Sequence, residues 1–143
     1  MPSNHPPSRR SVLQAAALLG PLALSTSAAV PPIADGILSR AQVQHSVGDY
    51  GESWIYFRRS TAELSSLVAG SYRLKPGMAP HPPHSHPEEE LLIIAEGTGE
   101  LSLEGKPTQV AQGSMMFCAA DHTHGLVNTG QTPLTFYYWK WRK

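Results

Sequence analysis

The stretch Pro80-His81-Pro82-Pro83-His84-Ser85-His86-Pro87-Glu88-Glu89-Glu90-Leu91-Leu92-Ile93-Ile94-Ala95-Glu96-Gly97 decides how this chain reads. Its second half is a short, continuous apolar run, Leu91 to Ala95, consistent with a strand buried on both faces, and Glu96-Gly97 turns the chain out of it. His84, His86 and Glu90 share parity, so in an extended chain their side chains point to one face. A turn at Pro87 would break that parity. On its own the segment also reads as a His/Pro-rich loop that binds metals opportunistically or not at all.

The flanking sequence keeps the same short-strand rhythm. Upstream, Trp54 to Phe57 makes one strand and Leu64 to Leu74 another, ending at Lys75-Pro76-Gly77. Downstream, Gly99–Glu104 alternates apolar and polar residues, and Gly105-Lys106 is a hairpin turn into Thr108–Val110. Met115–Cys118 follows Gly113, Asn128-Thr129-Gly130 is a further turn, and Leu134–Trp141 closes the chain. About eight short strands, turn signals every 8–12 residues and no convincing helix predict an all-β sandwich or barrel.

At 143 residues the chain supports one domain. Eleven basic and 11 acidic side chains balance. Without a basic run there is no means of neutralising phosphates, so nucleic acid is excluded as a partner. A single cysteine, Cys118, excludes an intrachain disulfide and any multi-cysteine zinc site. Histidine is what stands out. Five of the seven histidines fall in two clusters: His81, His84 and His86, then His122 and His124.

The N-terminus reads as an address. Arg9 and Arg10 are the only charges before Asp35; an apolar stretch from Val12 to Leu24 and small residues from Ser25 to Ala29 follow. Positive start, short apolar segment and small-residue cleavage site define a secretory signal, with a cut near Ala28 or Ala29. Pro21 and the Ala/Ser-rich composition make it a poor membrane span. The run Ser8-Arg9-Arg10-Ser11-Val12-Leu13 resembles a twin-arginine export signal. The expectation is therefore a periplasmic or secreted protein, with no stable membrane anchoring after cleavage. Residues 1–29 are the signal, 30–50 a tether or edge segment, and 51–143 the barrel. Losing the two arginines leaves a slightly acidic domain.

Three imidazoles (His84, His86, His124) and the Glu90 carboxylate make a mixed nitrogen and oxygen set suited to a borderline divalent metal. Four protein ligands on an octahedral ion leave two positions open, as catalytic sites do.

His84-x-His86-x₃-Glu90-x₆-Gly97 resembles the first cupin motif from its paired histidines onward, and Gly113-x₅-Ala119-x-Asp121-x₂-His124-x₃-Asn128 has the spacing of the second. The resemblance covers roughly Leu64 to Trp141. It departs at Gly77, six residues before His84 in place of the usual five, at Ala119 for proline, and at Asp121 for glycine. These departures fall in turns. The resemblance implies a cupin jelly-roll barrel (a double-stranded β-helix) with His84, His86, Glu90 and His124 as ligands to one divalent ion per chain. Iron or manganese is favoured, with nickel, zinc or copper also used in such barrels. It implies a metal-dependent enzyme on a small molecule, of dioxygenase, isomerase, decarboxylase or lyase type, with dioxygenase the first choice. A non-catalytic metal-binding or ligand-binding module stays open.

Among the neighbours, His122 shares the His124 face if that segment is extended and is the catalytic candidate for proton transfer; the alternative is a surface-loop histidine. His81 is a pocket-mouth residue or part of a Pro-rich turn. Glu88 and Glu89 are solvated charges or acceptors that orient a ligand histidine. Cys118 reads as core, and Met115, Met116 and Phe117 as barrel lining. On the last strand Tyr137, Trp139 and Trp141 alternate with Phe136, Tyr138 and Lys140, which gives it two faces serving the barrel, a pocket or a homodimer interface. Lys140, Arg142 and Lys143 read as a solubilising basic end.

Overall fold

Strand-forming segments separated by Gly, Pro and Asn turns fold into two antiparallel sheets in a computed structural model that describes residues 32–143. The signal read over residues 1–29 lies outside the described residues. The strands are β1 (Gln44–Gly48), β2 (Gly51–Arg59), β3 (Ser66–Leu74), β4 (Glu89–Glu96), β5 (Thr98–Leu103), β6 (Lys106–Ala111), β7 (Met115–Cys118), β8 (His124–Val127) and β9 (Leu134–Arg142). A six-stranded sheet runs β1-β2-β3-β9-β4-β7, and a three-stranded sheet runs β6-β5-β8. The last strand, β9, lies between β3 and β4, the non-sequential insertion of a jelly roll. The one helical element among the described residues is a 3₁₀ turn at Arg40–Gln42.

The strand beyond the expected eight is β1, which lies within the segment read as a tether or edge. It forms the edge of the large sheet, paired with β2 from Gln44 opposite Ile55 to Gly48 opposite Gly51. Around it, His45 stacks on Trp54 at 4.9 Å and the Arg40 guanidinium sits 4.3 Å over the same ring. That cover explains why Trp54, on the outer face of the sheet, is buried.

Inward residues of both sheets share one core, including Leu92, Ile94 and Met116 from the large sheet and Leu101 and Leu126 from the small one. Two expectations are corrected here. The Leu91–Ala95 run is not buried on both faces: Leu92 and Ile94 are inside, while Leu91, Ile93 and Ala95 are half-buried on the outer face, where no second layer among the described residues covers β4. Likewise Met115 and Phe117 point outward at 64% and 53% exposure, leaving only Met116 and Cys118 of β7 inside. A strand alternates faces whatever the hydrophobicity of its residues. On β9, Leu134, Phe136 and Tyr138 face the core, and Trp139 is exposed on the outer face.

The strand turn after β4 shows why Gly97 is needed. Its φ is +84°, and a Cβ there would lie 2.7 Å from the Pro133 carbonyl.

Candidate metal centre

The two histidine clusters, forty residues apart in sequence, are joined backbone to backbone. The His84 N–H donates to the His124 carbonyl at 3.0 Å, and the His124 N–H returns the bond to the His84 carbonyl at 2.9 Å. One turn further out, the Asp121 N–H donates to the His86 carbonyl at 2.8 Å. Asp121 has a φ of 64°, a left-handed conformation that aspartate tolerates better than most residues. The cupin pattern has glycine at this position, so the departure preserves the turn.

These constraints bring three imidazoles together. One ring nitrogen from each of His84, His86 and His124 lies within 4.8 Å of the others. His124, at the head of β8, and Glu90, near the start of β4, are both buried. Glu90 borders the cluster, its carboxylate 3.0 Å from His86 Nε2 and 3.6 Å from His124 Nε2.

The hydrogen-bond partners assign the tautomers. His86 Nδ1 lies 3.0 Å from the Glu88 carbonyl, and His124 Nδ1 lies 3.2 Å from the His122 carbonyl. A carbonyl only accepts, so both Nδ1 atoms donate. In the neutral imidazole each Nε2 is then a lone pair, and both lone pairs face the Glu90 carboxylate. Two such lone pairs facing a carboxylate need a positive charge between them, supplied by a proton on one Nε2 or by a cation. His124 Nε2 and His84 Nδ1 are buried with no hydrogen-bond partner. Orphaned acceptors beside a carboxylate fit a divalent cation of borderline softness.

The electrostatics agree. Burial, followed by the neighbouring imidazoles of His81, His124 and His86, lowers His84 to about 4, so it is a neutral donor ligand at neutral pH. His124 is raised, first by the facing Glu90 carboxylate, with burial opposing. Burial pushes the Glu90 carboxyl up, but His124 and His86 together outweigh it and hold it below the usual range. Glu90 is therefore an anion at neutral pH.

The other candidates are sorted by the fold. His122 is exposed. β8 begins only at His124, so residues 119–123 form a turn and the shared strand face expected for His122 does not exist. What His122 supplies is its carbonyl, which orients His124. His81 is exposed at the cavity mouth, its ring 4.1 Å from that of His84. Glu88 orients His86 through its carbonyl and holds its carboxylate 3.4 Å from Nδ1. Cys118 is buried, its sulfur 3.3 Å from His124 Nδ1, and burial raises its thiol, which argues for packing over reactivity.

Beside the cluster a cavity of about 210 Å³ opens between the sheets, its wall formed by Arg58, Tyr72, Tyr138 and Lys140 among others. Two of these carry a charge that sequence reasoning missed or misassigned. Lys140 belongs to the cavity, not to a solubilising tail: it shares parity with Phe136 and Tyr138, a signal already present in β9. Arg58 carried no such signal, because a bulge between Ile55 and Phe57 flips the parity of β2 beyond it.

This topology, with its internal cluster of histidines, is that of the jelly-roll cupin fold, and residues 70–140 match the Cupin domain family. Solved structures share the fold. An RmlC-like cupin from Shewanella frigidimarina aligns with a TM-score of 0.61 at 14% identity, covering 77% of this chain and 93% of that one. The polyketide cyclase RemF from Streptomyces resistomycificus aligns at 0.62 and 19%, covering 77% and 81%. A predicted oxalate decarboxylase from Thermotoga maritima aligns at 0.58 and 20%, covering 76% and 100%. Comparison with curated proteins gave no match.

Proposed function

We propose that this barrel holds one divalent metal ion on His84, His86, His124 and Glu90 and acts as a metal-dependent enzyme on a small molecule. The observation that carries the reading is the convergence of the His86 and His124 Nε2 atoms on the Glu90 carboxylate, with both Nδ1 atoms already held by carbonyls. A bound ion would supply Lewis acidity to an oxygen of the substrate. The protein's own part is positional. The carbonyls of Glu88 and His122 hold two imidazoles in the ligand tautomer, and the aromatic wall keeps water from one side of the cavity. Tyr138, pushed up to about 12 by burial, stays a neutral phenol whose O–H is able to donate to a bound molecule.

The position of His122 toward solvent favours a second reading, a non-catalytic module that binds a metal or small ligand, because His122 itself does not line the cavity. Iron or manganese remains the favoured ion, with dioxygenase chemistry first and isomerase, decarboxylase or lyase chemistry behind it. Export through the twin-arginine route would let the chain fold around such an ion before meeting copper or zinc, which a nitrogen-rich site binds more tightly. The outer face with Met115, Phe117 and Trp139 exposed offers a surface for a homodimer. Elemental analysis of protein folded in the cytoplasm tests the metal reading. Stoichiometric iron or manganese is expected; zinc or copper would contradict the choice of ion and the folding-before-export idea, and no metal would contradict the metal reading itself. Turnover of a candidate substrate by the loaded protein, lost on chelation, would separate enzyme from binding module.

A further inference from the structure

One row across the large sheet runs from the exposed rim of the cavity, at Arg58, to the histidine cluster. Arg58 lies opposite Val68, Val68 opposite Lys140, and Lys140 opposite Glu90. Neighbouring strands lie about 4.8 Å apart, so the Cα atoms of Arg58 and Lys140, with β3 between them, are about 10 Å apart. The side chain between them, Val68, is short, so the two long cationic side chains reach over it from either side. Both line the cavity.

Their charge is not used within the fold. Among the described residues neither Arg58 nor Lys140 takes part in an ion pair, and the carboxylate closest in register, Glu90, is engaged by His86 and His124. Two cations at the wall of a low-dielectric cleft concentrate anions there. Behind them the wall turns aromatic. The Tyr72 and Phe136 rings stack at 5.2 Å with 12° between planes, and Tyr138 adjoins Tyr72 at 5.8 Å. Gly70 makes room for this: a Cβ there would lie 2.7 Å from the Tyr138 ring. A cavity of about 210 Å³ is below the range of about 300 Å³ and more that drug-sized ligands occupy, so it suits a small metabolite.

We propose that Arg58 and Lys140 form a carboxylate clamp, and that the barrel takes a small planar acid whose carboxylate lies between the two cations and whose flat body packs on Tyr72, with Tyr138 tilted against its edge. The proposal rests on the metal reading above only for what happens next: a molecule so held faces the histidine cluster across the cavity. Guanidinium and ammonium groups hold a carboxylate by charge-assisted hydrogen bonds, and a neutral amide of the same shape gains little from them.

The test is calorimetric titration of benzoate and of its neutral isostere benzamide into wild type, Arg58→Gln and Lys140→Gln, each with and without prior chelation. Metal content and melting temperature are measured alongside to establish folding. The clamp predicts that benzoate binds about tenfold or more tightly than benzamide, with or without metal. Each substitution should remove most of that difference while leaving metal content unchanged. Equal binding of the two probes, no benzoate binding, or full benzoate affinity in both variants would overturn it. Benzoate binding that disappears on chelation yet survives both substitutions assigns the acid to the metal, overturning the clamp and leaving the metal reading intact. Clamp-dependent benzoate binding in a chain that holds no metal would support the clamp and retire the metal reading.

Discussion

The two ends of the barrel are built on opposite principles. At the closed end, Leu74, Leu134, Ile94 and Asn128 are essentially inaccessible, and their polar groups are satisfied within the fold. The Asn128 side chain donates to the Leu74 and Thr132 carbonyls at 3.2 and 2.9 Å and accepts from Gly130 N–H at 2.9 Å, tying the end of β3 to the β8–β9 turn. At the open end, buried nitrogens of His84 and His124 lack partners, and Arg58 and Lys140 line the cavity without an ion pair among the described residues. Native folds leave few buried polar groups unpaired, so the imbalance marks the end that receives something from outside. The closed end holds the barrel together, and the open end carries its chemistry.

Substitutions at each end should therefore move different observables. The largest stability effect is expected from Leu134→Ala, which opens a cavity in the closed end and should cost about 2–5 kcal/mol in chemical denaturation. Metal bound per folded molecule should stay unchanged. A matching loss of metal from the folded fraction would merge the two ends into one unit. Asn128→Ala leaves buried carbonyls unpaired and should cost about 1–3 kcal/mol, again without touching the metal. At the open end, Glu90→Gln removes the anion facing two imidazoles and should weaken metal binding by about 10–100-fold in a chelator competition. Unchanged affinity would place Glu90 outside the metal's surroundings.

Acid should also act chiefly on the open end. In chelated protein His84 titrates near 4 and in the unfolded chain near 6.5, so the unfolded state takes up that proton first. This contribution makes stability fall as pH drops from about 6.5 to about 4. The raised His124 contributes fully below 6.5 and is lost only as pH rises through its folded value; the depressed Glu90 contributes above the ordinary carboxylate range and is lost as pH falls through its folded value. Melting temperatures of chelated wild type and His84→Gln across that window should show a shallower acid slope in the variant. Parallel slopes would contradict the burial of a neutral His84. The smallest effect is expected from His122→Ala. The contribution of His122 is a backbone carbonyl, so metal affinity and stability should both stay within error.

Much of this division was legible in sequence, and the reasons are local. Alternation, turn residues and the spacing from His84 to Gly97 and from Gly113 to Asn128 pointed to the barrel and to its histidine cluster, because a motif keeps its register within one loop and strand. What parity could not show was where a strand starts or slips. His122 looked equivalent to His124 until the turn ending at Thr123 separated them. Arg58 was hidden by the bulge before it. The apolar run at Leu91 looked doubly buried because composition does not say whether a second layer exists. The reciprocal bridge between His84 and His124 joins two motifs by backbone atoms, which no side-chain pattern records.

The central claim is that these two motifs make one metal site, and single substitutions in each test it most directly. Elemental analysis of folded wild type, His84→Ala and His124→Ala should give about one metal ion per wild-type chain. Both variants, though folded, should have lost it. Retention of stoichiometric metal in either variant would show that the clusters do not share an ion and would contradict the account.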